Sequence, residues 1–470
     1  MNLSSLIAGQ PVASNGTLRI RNPFNHAEVG SVVLAAHADV DAAVAAAVAF
    51  DATPSRFQRS EILEKTRVAL EARREEFARL ITSETGLALR EGRYEVGRTL
   101  DVLRFAAMEA LRDDGQVFSA DISPQGKARK IFTVREPLRC AAAITPFNHP
   151  LNQVAHKVAP AIAAGTPLVL KPSEKTPLVA LKFAELLYAA GLPGPMLSVL
   201  LGLTTEVAGP LVRHEDVEVL AFTGSVAVGK QITLSAGYKK LVLELGGNDP
   251  LIVLNDADLD LAVTLAAEGS FRNSGQRCTA VKRILVEEGI APAFTAKLVE
   301  KTKEYICGDP FDETTRVGTV IDESAAAYLE TVLEEAVVTG AKVLAGGGCQ
   351  GALFQPTVIA NVPRDCRMVV CESFGPLAPI LKVRDLDDAL ALANATAYGL
   401  SSGVVTTNLN SALQAIKTLR CGTVNINDVP GFRVECSPFG GIKDSGLGVK
   451  EGVIEAIKAY SFVKTFSLPW

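Results

Sequence analysis

After Lys130 the sequence alternates short β-rich runs with helical ones, and this alternation constrains the fold more than any other feature. In order come KIFTVREP, CAAAITP, a helical stretch from Leu151, TPLVLKP, a helix from Thr176, MLSVL, a helix near Thr205, VEVLAFTG, a helix from Ser225 and KLVLELGG. Strands separated by helices of roughly 10–15 residues pair in parallel, because the crossover carries the chain back to the same sheet end. The predicted class is therefore α/β, with a doubly wound parallel sheet whose ligands gather at the carboxyl ends of the strands. The alternation resumes after Asn248 with DPLIVL, a helix around Leu259–Phe271, VKRILV and a helix around Pro292–Tyr305. A stretch with Gly308, Pro310 and Gly318 leads to another helix and the strand-like AKVLAGG, so a second α/β unit is expected. Residues 39–115 carry apolar positions at helical spacing. The β segment at 131–136 and the tail AYSFVKTFSL stand apart, and suit an edge that pairs with another subunit.

Composition removes several function classes. With 470 residues, about two or three domains are expected. The 47 Lys and Arg against 52 Asp and Glu give a net charge of −5, which argues against a nucleic-acid partner. The eight cysteines form no CxxC pair, so neither a disulfide framework nor a metal site is expected. The first sixteen residues lack a basic segment followed by an apolar one, and no run approaches the ~18 apolar residues of a membrane span. A cytoplasmic protein with no membrane partner is the expectation.

Three local features bear on chemistry. GGGCQG at 346–351 matches a phosphate-loop pattern, but ALFQPTVI follows it where a helix N-terminus is needed, so it reads as a hairpin turn. Phe222-Thr223-Gly224-Ser225 is a better anion site, since a strand ends and a helix begins there, with Gly229 one turn in. Glu244 in LELGGNDP and Cys278 in NSGQRCTA form the stronger pair. A thiol among small polar residues near a helix terminus is read as favouring thiolate, and a carboxylate can serve as the base of a later hydrolysis.

Taken together, Asn148 in TPFNHP, Lys171-Pro172-Ser173-Glu174, FTGS at 222–225, Glu244-Leu245-Gly246-Gly247, Gly275-Gln276-Arg277-Cys278, Glu372-Ser373-Phe374-Gly375-Pro376 and SPFGGIKDSG at 437–446 resemble the NAD(P)-dependent aldehyde dehydrogenase superfamily in order and spacing. The resemblance covers nearly the whole chain. It implies a Rossmann-like NAD-binding domain from 1–117 and 138–246, a second α/β catalytic domain from 247–445, and a small β oligomerisation element from 118–137 and 446–470. It implies Cys278 as nucleophile, Asn148 as oxyanion donor with the Cys278 N–H, and Glu244 as the base that hydrolyses a thioester. Transfer of that thioester to coenzyme A is the alternative, which a positioned base disfavours. Cofactor contacts carry over to Phe147, Lys171, Ser173, Glu174, Thr223, Gly224, Ser225, Gly229, Leu245, Gly246, Glu372 and Phe374. A carboxylate at Glu174 suits a ribose 2′-OH and repels a 2′-phosphate, so NAD is expected over NADP. Cys371 and Val226-Ala227 depart from the family's usual Glu and Thr-Glu. A homodimer or homotetramer is the implied assembly.

The substrate positions are unusual for that family. Asn152, Gln153 and His156 stand where relatives acting on apolar aldehydes carry aromatic or aliphatic side chains. Arg277 precedes the nucleophile and Thr279 follows it, Arg433 and Phe439 fall on another tunnel-lining stretch, and Arg104 lies on the helix that resembles the tunnel mouth. Three guanidinium groups and an imidazole in one pocket call for an anion, and Arg forks match phosphonate or carboxylate oxygens. TPFNHPLNQVAHK and GQRCTAVKR resemble the phosphonoacetaldehyde dehydrogenase branch, which implies oxidation of phosphonoacetaldehyde to phosphonoacetate in phosphonate metabolism. Succinate-semialdehyde, lactaldehyde and glyceraldehyde-3-phosphate-type activities are the alternatives.

Overall fold

The computed structural model describes residues 1–13 and 15–470. Five strands, Ala141–Ile144, Leu168–Lys171, Leu197–Val199, Val219–Thr223 and Lys240–Glu244, form a parallel sheet with every one of its sequential connections made by a helical segment. Ala141–Ile144 lies near the centre. The chain steps outward from it to Leu168–Lys171 and Leu197–Val199, then returns to its other side with Val219–Thr223 and Lys240–Glu244. The order reverses between Ile144 and Thr223, and a crevice opens at such a point above the carboxyl ends. The first four strands are buried throughout, as expected of a parallel sheet covered by helices on both faces.

The second sheet places Lys342–Ala345, Thr357–Ala360, Leu377–Val383, Val281–Glu287, Asp249–Val253, Ser401–Val405 and Thr423–Ile426 side by side, parallel except for the first. Glu244 ends the first sheet and Asp249 begins the second, so only four residues join the two. A third sheet packs Arg129–Pro137 between Val117–Ser119 and the tail Ser461–Pro469, all antiparallel. The stretch at 346–351 forms the start of a small hairpin, Cys349–Gln350 with Leu353–Phe354.

The helical stretch 39–115 resolves into His37–Val48, Arg56–Ala72, Arg74–Thr85 and Leu89–Ala110. Its breaks have local causes. Ser55 and Gln58 make a reciprocal capping box, and Gly86 takes φ 69° to end the third helix. Leu63, Phe77 and Leu103 face inward at no more than 1% exposure, and Leu63→Ala would cost about 2–5 kcal/mol. Leu89–Ala110 packs against the two preceding helices and against Asn152–Ala164, which brings its one face to the site described below.

Two features depart from the expected organisation. Five short strands lie in the first 33 residues: Asn2–Ser4, Thr17–Arg21 and Glu28–Val33 make a separate sheet, and Leu6–Ile7 with Gln10–Pro11 extends the first sheet past Leu197–Val199. The helix Val453–Ala459, inside the span 446–470 assigned to the β element, buries Val453, Ala456 and Ala459 in the core of the first sheet's helices. Its apolar face needs a partner that a three-stranded sheet lacks. Among the described residues no helix is long and apolar enough to cross a membrane.

Candidate active site

The loop that carries Cys278 is set by strained backbone held from three sides. After the helix Leu259–Phe271 the chain passes through Asn273, Ser274 and Gly275 at φ 57°, 52° and 70°. Asn273 Nδ2 donates to the carbonyls of Asn148 at 3.0 Å and Gln276 at 3.3 Å, and Ser274 Oγ donates to Gly318 O at 3.1 Å. Gln276 Oε1 accepts from the Ile321 amide at 2.9 Å. A Cβ at residue 275 would lie 2.1 Å from Gly375 O, so only glycine fits. These contacts offset the cost of left-handed Asn and Ser, about 1–3 kcal/mol each.

Asn148 follows the strand Ala141–Ile144 and reaches the same loop. Its Nδ2 donates to Gln276 O at 2.8 Å, which fixes the amide and uses one of its two hydrogens. Its second hydrogen has no acceptor among the described residues. Glu244, at the carboxyl end of Lys240–Glu244, is buried, and neither carboxyl oxygen has a hydrogen-bond partner among the described residues. A Cβ at Gly440 would lie 2.5 Å from Glu244 Oε1, so this glycine leaves the carboxyl its room. Burial, and then the charge of Glu451, hold Glu244 well above the usual carboxylate range. Glu451 pairs in turn with buried Lys157. The same environment favours the neutral acid and makes the ionised form a stronger base, and it is that form that can take a proton from water.

Burial pushes the Cys278 thiol up to about 11, with Lys282 acting in the opposite sense. This differs from the thiolate that the polar, glycine-rich sequence around it implied. The small neighbours let the loop pack closely, and desolvation outweighs the nearby cation. Lys282 lies within GQRCTAVKR, but the sequence reading gave it no role. Its Nζ donates to the carbonyls of Arg277 and Cys278 at 2.8 Å each and lies 3.3 Å from Glu372 Oε1.

The expected cofactor residues converge at the carboxyl edge of the first sheet. Lys171 ends its strand and pairs with Glu174 one turn on, while Ser173 Oγ accepts from the Lys175 amide at 3.2 Å. Thr223 ends the strand Val219–Thr223 with its buried Oγ1 unpartnered among the described residues, and Gly224 leads to Ser225, which caps the helix Val226–Ser235. Gly229 packs on Leu245 so closely that a Cβ would lie 2.5 Å from its side chain. Across the crevice, Glu372 Oε1 accepts from the Gly247 amide at 3.2 Å, and a Cβ at Gly246 would meet Glu372 Oε2 at 2.2 Å. Phe374, at φ 55°, meets Phe147 edge-on at 6.0 Å. An unpartnered hydroxyl, a capped helix N-terminus and a glycine-lined floor fit a dinucleotide.

A cavity of about 300 Å³ lies on the other side of Cys278. Arg277, Thr279, Arg433, Phe439 and Gln153 line it, together with Arg98, Arg272 and His149, which the sequence reading missed. Arg277 donates to the carbonyls of Glu268 and Gly269, and its buried Nε has no partner among the described residues. Arg433 lies 3.8 Å over the Phe439 ring. Arg272 is matched by Glu91 through two hydrogen bonds of 3.2 and 3.0 Å. Burial pushes the Arg277 guanidinium down to about 10 and lowers Arg433 as well.

Three expected substrate residues lie elsewhere. Arg104 is exposed: six helical residues after Arg98 correspond to about 600° of rotation, which turns it off the inward face. His156 is buried behind the wall, with Nε2 2.6 Å from Glu435 Oε2. Asn152 is fully buried on the same helix, and neither of its amide atoms reaches the cavity. The side chains at 152 and 156 point into the helix packing, since the helix Asn152–Ala164 is buried on every side.

A profile of the aldehyde dehydrogenase family matches residues 11–466. The 3-sulfolactaldehyde dehydrogenase of Priestia aryabhattai is 41% identical over 442 residues, 94% of this chain and 92% of that protein. The sulfoacetaldehyde dehydrogenase of Neptuniibacter caesariensis is 39% identical over 409 residues, 87% and 89% of the two chains. Aldehyde dehydrogenase 21 from Physcomitrella patens, solved in complex with the reaction product succinate, superposes with a TM-score of 0.96 at 37% identity, covering 99% of this chain and 98% of that one.

Proposed function

The chain belongs to the aldehyde dehydrogenase family, and from that premise we propose that it oxidises a small aldehyde bearing an oxyanion group to the carboxylic acid, with NAD as its cofactor. Bound NAD supplies the hydride acceptor. Cys278 gives up its S–H proton to water as Sγ bonds to the aldehyde carbon, and the oxygen that becomes negative accepts from the free Asn148 amide hydrogen and the Cys278 N–H; loss of that carbon's hydrogen as hydride to the bound cofactor would leave a thioester. Glu244 takes a proton from the water that attacks the thioester, which releases the acid and returns the thiol. Lys171 and Glu174 hold the adenosine ribose, Ser225 the pyrophosphate, and Glu372 the nicotinamide ribose. The carboxylate of Glu174 favours NAD over NADP.

The observation that carries the substrate class is the charge of the cavity. Of its four guanidinium groups, Arg272 is matched by Glu91 and Arg98 by Glu435, while Arg277 rests on backbone carbonyls and Arg433 on an aromatic ring. Arg277 thus has no carboxylate partner among the described residues and Arg433 only shares, at 3.9 Å, the Glu435 carboxylate that Arg98 binds, so the cavity carries positive charge in excess, which is costly unless a ligand compensates it. A dianion matches two guanidinium groups, so phosphonoacetaldehyde, oxidised to phosphonoacetate, is the favoured substrate. Sulfonated aldehydes are the second reading, favoured by the names of the two curated relatives. An assay of NAD reduction over phosphonoacetaldehyde, sulfoacetaldehyde, succinate semialdehyde and the neutral propanal ranks these readings. Arg277→Ala and Arg433→Ala should each raise KM for the preferred anionic aldehyde by roughly 10–100-fold, the loss of a charged hydrogen bond, and shift propanal far less. Equal shifts for both would remove the anion pocket.

A further inference from the structure

We infer that Glu435 is a positioning residue that sets the preference for anionic aldehydes by holding Arg98 and Arg433 in place without touching the substrate. Glu435 is buried and lies behind the cavity wall, not on it. Its Oε1 accepts from Arg98 Nε at 2.5 Å. Its Oε2 accepts from His156 Nε2 at 2.6 Å and lies 3.9 Å from Arg433 Nη2. One carboxylate therefore ties together the helix Leu89–Ala110, the helix Asn152–Ala164 and the loop that carries Arg433.

Burial opposes ionisation of Glu435, but the Arg98 charge and the His156 hydrogen bond outweigh it and hold the group well below the usual carboxylate range. Burial lowers His156 despite its partner, so it acts as a neutral donor at neutral pH. The carboxylate thus stays charged wherever the enzyme would work. Arg98 and Arg433 carry like charges, and burial together with the Arg98 charge lowers Arg433 while Glu435 acts in the opposite sense. Among the described residues Glu435 alone forms an ion pair with both. Its removal would leave two like charges free to separate, widening the fork that receives the oxyanion.

This inference rests on the anionic-aldehyde reading. Glu435→Gln keeps size and one acceptor while deleting the charge. It should raise KM for phosphonoacetaldehyde or sulfoacetaldehyde at least about tenfold more than KM for propanal, with kcat for the anionic substrate falling less than its KM rises. Glu435→Asp, which restores the charge one methylene short, should recover part of the shift. If Glu435→Gln fails to fold, His156→Gln removes one of the two clamps and should move the same ratio in the same direction by a smaller factor. A ratio of KM values equal to wild type in the folded variants would overturn the role of Glu435 and leave the substrate reading standing. A wild-type enzyme that handles propanal as well as the anions would remove both.

Discussion

In the proposed reaction Cys278 is the nucleophile, and its burial has a measurable consequence. A thiol pushed up to about 11 is protonated at neutral pH in the protein alone, and its reactive thiolate fraction grows about tenfold per pH unit until that value is passed. Alkylation of Cys278 by iodoacetamide, followed by mass spectrometry, should therefore rise steadily from pH 7 to pH 10 with no plateau. Saturation near pH 7 would show that the lysine wins over burial. Lys282→Met, which removes the one neighbouring cation that favours thiolate most, should slow alkylation further at every pH. Cys278→Ser should abolish oxidation while NAD binding persists. At this scale the sequence was most informative where the proposed residues stand in contiguous motifs, as at Cys278, Glu244 and Asn148. It was least informative where a role depends on helical phase or distant pairing. Arg98 and Arg104 share one helix and one chemistry, and only the packing of Leu89–Ala110 decides which enters the cavity. Glu435 and His156 are 279 residues apart, and no local pattern marks them as partners.

The elements that place these residues were largely legible, because parallel strands are apolar throughout and alternate with amphipathic helices. The short N-terminal strands were not, since two to six residues give no periodicity to read. Buried carboxylates that cap helices were also invisible, and one of them bears on catalysis. Glu95, on Leu89–Ala110, accepts from the amides of Leu151 at 2.7 Å and Asn152 at 2.9 Å. These are the first free amides of Asn152–Ala164, the helix that begins just after Asn148, and a carboxylate there satisfies them and complements the helix dipole. Glu95→Ala leaves two buried donors unpaired, so it should cost about 2–3 kcal/mol in urea unfolding. Because the same helix start anchors the oxyanion donor, kcat should fall as well. A variant as stable and as active as wild type would show that water replaces the carboxylate.

At the scale of the whole molecule, what the chain leaves uncovered is the third sheet. Phe462, Phe466, Leu468 and Trp470 of the tail and Val117 and Phe118 of the opposite edge are all more than 40% exposed. Phe466 stacks on Phe132 of the central strand at 5.3 Å and Val117 pairs with Phe132 from the other edge, so Phe462, Phe466, Leu468 and Val117 share one apolar face, while Phe118 falls on the opposite one. Ser461–Pro469 is also a nine-residue edge with one row of unpaired backbone groups. Monomeric proteins shield such edges with charge, proline or a bulge, yet this strand carries a single lysine, and its proline stands only at the far end. An exposed apolar face beside an open strand edge is the kind of surface that a partner covers. A second copy of the chain offers the matching sheet, and closed association about a twofold axis buries both patches at once. Light scattering after size exclusion should find a dimer or a dimer of dimers. Phe466→Glu, which places a charge in the middle of the patch while leaving the cavity beside Cys278 untouched, should shift the mass toward one chain. A wild-type mass of one chain, or a variant that assembles as wild type does, would assign the patch to another role.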